Sequence, residues 1–143
     1  KDSENVDYLL KRAELKIILN DGTSAENDIA IAITKKPNDM NVLLSQAKIN
    51  FASGNFKAAD STWEKIISID SSYQKYIERA NYYEKRELFD KAIIDLEMAK
   101  SLAQKIHDEM SFGFEQEDFR KNVLDEINKK TETIKQNRIN KIE

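Results

Sequence analysis

Small and large apolar residues return along this chain in step. Ala13, Ala47 and Ala80 stand 34 and 33 residues apart, Ala25, Ala59 and Ala92 repeat those two intervals, and Ile29, Trp63 and Leu96 follow them. A fixed period of this size marks an array of repeated units rather than a single irregular fold. Inside each period the pattern reads as two antiparallel helices. The first needs a small residue where the second crosses it closely. The second needs a small residue at its start and a large one a turn later, at i and i+4 on one face. Helices are therefore predicted over about 5–20, 24–36, 40–53, 56–69, 73–86 and 89–107. Each pair is joined by a sharp turn. Gly54 suits a left-handed turn residue, Asn20 is the next-best choice, and Glu87 departs from the rule, so the third turn should be tighter or strained.

A seventh helix is predicted over about 115–141. Glu115, Glu117 and Asp118 open it and Lys135, Arg138 and Lys141 close it, both placements favoured by the helix dipole. Phe119, Val123, Ile127 and Ile134 share one face; Leu124 and Ile142 extend it, and Ile139 falls outside. Two roles fit this stripe: capping the last repeat, whose outer apolar face has no neighbour, or filling a groove or dimer contact. The stretch after about Lys135 should be looser, because its charges multiply. The link 108–114 holds Met110, Phe112, Gly113 and Phe114, too apolar for a solvated linker, so part of it should be buried.

The spacing resembles the tetratricopeptide repeat family over about Val6 to Lys105. The small–turn–small–large columns carry the resemblance, and Pro37 falls where that family ends a repeat. The chain departs from the pattern in places. The first-helix aromatic is present only as Tyr83, with Lys16 and Asn50 standing in its place, and Ser71 and Gln104 replace the terminal proline. The resemblance implies an all-α solenoid of three helix-turn-helix repeats, about 6–39, 40–72 and 73–106, with the seventh helix as a cap, in one domain spanning 1–143. An antiparallel bundle without true repeats is the plainer alternative.

The resemblance also implies a concave surface, lined by the first helices, that holds extended peptides or partner helices. Equivalent groove positions are Leu10, Leu44 and Ile77 in one row, Glu14, Lys48 and Asn81 in a second, and Ile17, Phe51 and Glu84 in a third. The first row is apolar in every repeat, which suggests an occupied surface; packing within the helix pairs is the alternative. Members of the family that clamp the acidic tails of chaperones carry Lys, Asn and Arg at places held here by Leu10, Glu14, Ser45, Gln74 and Glu78. None conforms, so carboxylate clamping of that kind is not expected.

Composition narrows the chemistry. With 3 Gly and 1 Pro in 143 residues the chain lacks the many turns of a sandwich or barrel. Its 23 basic and 26 acidic residues show no basic cluster of the kind nucleic-acid binders carry, so no nucleic-acid partner is expected. There is no cysteine, hence no disulfide, thiolate metal site or thiol nucleophile. The longest purely apolar run is three residues, Ile17-Ile18-Leu19, far short of a membrane span. The opening Lys1-Asp2-Ser3-Glu4-Asn5 is similar to the polar stretch behind the lipid-bearing cysteine of exported bacterial lipoproteins, which would place the protein at the cell envelope through an N-terminal lipid anchor. An arbitrary boundary explains those residues equally well.

No catalytic constellation emerges. His107, the single histidine, lies beside Asp108 and Glu109 at a predicted helix end and reads as a dipole contact rather than a base or metal ligand. The other acids are scattered at helix-surface spacing and read as solvated. Trp63, Phe56, Phe89 and Tyr83 fall on packing columns; Tyr82 lies between them. The expectation is a non-catalytic protein- or peptide-binding adaptor with no cofactor and no metal. A regulatory or sensor segment of a larger signalling protein is the alternative.

Overall fold

A computed structural model of the chain describes residues 5–110 and 113–142. The opening Lys1–Glu4, and Phe112 of the apolar link, lie outside them. The described residues are almost wholly helical and contain no strand. In order the helices are α1 (Val6–Ile18), α2 (Gly22–Lys35), α3 (Met40–Ala52), α4 (Phe56–Ile69), α5 (Tyr73–Lys85), α6 (Phe89–Glu109), α7 (Phe114–Phe119) and α8 (Asp125–Ile142), with a π turn at Arg120–Leu124 joining the last two. Starts follow local chemistry. The side chains of Asn5, Asp21 and Asp39 accept from backbone N–H groups of the first turns of α1, α2 and α3, supplying donors that would otherwise lack partners.

The chain packs as two compact units, Lys1–Ile69 and Asp70–Glu143. In the first, α1 packs on α2, α3 on α4, and α3 also packs on α1 and α2. Leu9, Ala13, Ala25, Ile29, Ala32, Val42 and Ile49 form one buried cluster. Ala47, Ala59, Trp63 and Ile66 are buried as well, as the small-and-large columns require. In the second unit α5 packs on α6 and α6 on α8. Its buried residues include Ala80, Ala92, Leu96, Ala99, Ala103, Leu124, Ile127 and Ile134. The crossing alanines are buried in every pair: Ala59, Ala80 and Ala92 have no exposed surface at all.

The turns α1–α2, α3–α4 and α5–α6 are copies of one another. Asn20, Gly54 and Glu87 are left-handed, at φ 62°, 73° and 57°. In each, the left-handed residue donates its N–H three residues back and the next residue donates five back: Asn20 to Ile17 and Asp21 to Lys16, Gly54 to Phe51 and Asn55 to Asn50, Glu87 to Glu84 and Leu88 to Tyr83. These paired bonds close the last helical carbonyls of each first helix. The third turn is thus the same size as the others, and it carries strain because Glu87 has a side chain in the left-handed region.

The C-terminal helix differs from its expected form at its start. The π turn, closed by the Asp125 N–H donating to the Arg120 carbonyl, holds one residue more per turn than an α-helix and rephases the apolar stripe. Burial accordingly runs through Leu124, Ile127, Thr131 and Ile134, while Phe119 and Val123 are only half-buried. The charged end lies in solvent, as its charges imply, and makes two exposed ion pairs: Arg138 Nη1 lies 2.6 Å from Asp90 Oδ1, and Lys141 pairs with Glu87. In the link, of which α6 takes only the first two residues, Met110 is half-buried but Phe114 is 86% exposed.

Candidate peptide-binding cleft

Four of the nine expected groove residues meet in the first unit. Successive turns of α1 supply Leu10 and Glu14, and the matching turns of α3 supply Leu44 and Lys48. Together with Asp7, Lys11, Asn41 and Ser45 they line an open cleft of about 440 Å³. Leu10 is not the solvent-facing residue its row implies. It is 8% exposed and belongs to the core between the helices, so it forms the floor of the cleft. Leu44 is half-buried. Glu14 and Lys48 stand across the cleft with their charges 3.6 Å apart, both largely solvated. An exposed pair of this kind contributes little to stability, so both ends are available to exchange partners. The cleft thus combines an apolar floor with opposite charges on its rim.

The remaining five residues lie elsewhere. Ile17 lines a separate polar hollow beside the first turn with Asn20, Thr23 and Glu26. Phe51 is half-buried, its ring centroid 5.9 Å from that of Phe56. In the second unit, Ile77 lines a cleft of about 330 Å³ with Tyr73, Val123, Ile127 and Lys130. Glu84 pairs with Lys130 at 2.7 Å, and Asn81 is half-buried. Glu84 is therefore occupied by an ion pair with the C-terminal helix, while Ile77 stays on the wall of a cleft that this helix borders; the Tyr73 and Phe119 rings meet edge to face nearby, 6.2 Å between centroids.

Two carboxylates overturn the expectation that the acids are solvated. Asp28 and Asp95 are each 3% exposed. Arg12 binds Asp28 through Nε and Nη2, Lys16 Nζ adds a third bond at 2.8 Å, and Arg79 binds Asp95 in the same two-pronged way. The guanidinium of Arg12, with help from Lys16, holds the Asp28 carboxyl below the usual carboxylate range, and Asp95 raises the pKa of Arg79. A signal for these pairs was present in the sequence. Arg precedes the crossing alanine in the first and third repeats, and Asp stands three residues after the second-helix alanine in both, whereas the second repeat has Gln46 and Thr62. Tyr82 is also settled: it is buried beside Tyr83, and its hydroxyl accepts from Arg86 Nη1 at 2.7 Å. Phe56, in contrast, stays 42% exposed.

His107 lies in the last turn of α6, its Nδ1 3.2 Å from Asp108 Oδ1, with Gln104 donating to the same carboxylate. Among the described residues no cluster of His, Asp or Glu could hold a metal ion, and no helix is long and apolar enough to cross a membrane. Comparison with protein-family models and with curated proteins yields no match for the chain.

Proposed function

We propose that the chain is built from three helix pairs of the tetratricopeptide type, closed by a capping C-terminal helix, and that it works as a non-catalytic adaptor holding a peptide segment of a partner protein. The α1–α3 cleft carries this reading. An apolar floor at Leu10 and Leu44, flanked by Glu14 and Lys48, suits an extended segment with an aliphatic side chain between charged neighbours. The three identical left-handed turns and the buried crossing alanines support the repeat assignment. The stripe on α8, buried against α6, supports the role of cap.

Selection from a random linear-peptide display library against the full chain tests the proposal. Selected peptides are expected to share an aliphatic residue, to lose binding on Leu44→Glu, and to lose part of it on Lys48→Glu. Leu44 is half-buried at the cleft wall, so circular dichroism of the variant separates loss of binding from loss of fold. Failure to select any peptide, or binding indifferent to Leu44→Glu in a folded variant, would overturn the assignment.

A further inference from the structure

We infer that the outer face of α1, on the side away from its own core, is a docking surface for a helix pair of a partner protein. Tyr8, Leu15 and Ile18 are 46%, 59% and 78% exposed, and Lys11, which also stands at the edge of the α1–α3 cleft, lies between them. The positions i, i+3, i+7 and i+10 make one continuous stripe along the helix. Large apolar side chains gathered on one unpartnered face mark an interaction surface.

The same unit shows what covers such a face. The repeat offset of 34 residues carries Tyr8, Lys11 and Leu15 onto Val42, Ser45 and Ile49 of α3. Those three are 0%, 6% and 1% exposed. Val42 and Ile49 share a core cluster with Ala25, Ile29 and Ala32 of α2, and Ile33 packs against it. The same cluster holds Val6, Leu9, Leu10 and Ala13 of α1, and Ser45 lines the α1–α3 cleft, so the equivalent face is packed against both helices of the preceding pair, which present aliphatic and small side chains; Ile18 maps onto Ala52, which is exposed. The face of α1 asks for an occupant of that chemistry. Lys11, in the place of Ser45, fits beneath such a helix by laying its methylenes along the apolar surface and carrying its ammonium to the rim. A second copy of α1 is the poorer occupant: it would bring another Lys11 and no carboxylate at any of the four stripe positions.

The test uses the full chain with a further copy of residues 5–39 appended ahead of Asn5, the added pair standing in for the partner's. The added pair is expected to be helical by circular dichroism, to slow amide exchange in the original α1, and to raise Tm above that of the parent. Leu15→Glu with Ile18→Glu in the original α1 should abolish all three gains. In the parent the same changes should leave Tm unmoved, since both side chains face solvent. An added pair that stays unstructured, that folds without protecting α1, or whose effect survives the double substitution would overturn the inference. So would a parent chain that sediments as a dimer and becomes monomeric on Leu15→Glu, which assigns the face to a second copy.

Discussion

Arg12 on α1 and Asp28 on α2 are joined by two parallel hydrogen bonds, Nε to Oδ2 at 2.7 Å and Nη2 to Oδ1 at 2.5 Å. The carboxylate is buried and the guanidinium about one-third exposed. Arg79 and Asp95 repeat the arrangement at 2.7 Å for both bonds. Each clamp sits one residue before the crossing alanine, so it fixes how the two helices of a pair register along each other. The planar fork of arginine matches a carboxylate in a way that lysine does not.

Asp28→Asn should therefore destabilise the first unit at neutral pH. Hydrogen bonds to charged groups contribute about 1.5–3 kcal/mol each, and the partners left behind are partly solvated, so the loss should fall within that range for the whole clamp. Equilibrium denaturation of the variant against the parent measures it.

The same clamp sets an acid limit. The folded pKa of Asp28 lies below its ordinary value because Arg12, and then Lys16, bind the charged form. Stabilisation is complete above the unfolded value, about 3.9, and is lost as pH falls through the lower folded value. Parent and Asp28→Asn should differ in Tm at neutral pH and converge only in strong acid. A constant difference down the whole acid limb would show that Asp28 contributes by packing alone.

The three turns make opposite predictions at two positions. Gly54 has φ +73° with no atom within 4 Å of where a Cβ would stand, so Gly54→Ala meets no clash and loses only the backbone preference, about 1–2 kcal/mol. Glu87→Gly should gain a similar amount, less the exposed pair with Lys141, which contributes at most about 1 kcal/mol. Thermal melts should shift down for the first and up for the second.

Ala59 has no exposed surface and Trp63 is 7% exposed. Ala59→Leu should overpack the α3–α4 crossing at a cost of about 1–3 kcal/mol. Trp63→Ala should cost about 3–5 kcal/mol. The parent should fluoresce at the short wavelengths of a buried indole, and emission like that of free tryptophan in water would contradict the placement.

On α8, Ile134 is fully buried and Ile139 is 47% exposed. Ile134→Ala should cost about 2–5 kcal/mol, whereas Ile139→Ala should stay within about 0.5 kcal/mol, as surface changes usually do. Urea denaturation of the two variants makes the comparison.

The sequence by itself determined the helices, their pairing and their turns, because these rest on local rules. An alanine every 33 or 34 residues marks a close crossing wherever it occurs. A left-handed turn residue shows itself as Gly54 or Asn20; Glu87 read as an exception, and only the structure showed it in the same conformation. Tertiary structure decided what depends on more than one element. Whether Asp28 is solvated turns on Arg12 and Lys16 a helix away. Leu10 became the floor of a cleft because α3 packs beside it, while its counterpart Ile77 lines a different cleft, bordered by Val123 of the π turn and Ile127 of α8. The extra residue in the turn at Arg120–Leu124 moved burial from Val123 to Leu124, a change of phase that a regular 3.6-residue wheel does not contain. Periodicity reports which face of a helix is apolar; only the packed neighbour decides how much of that face remains open to a partner.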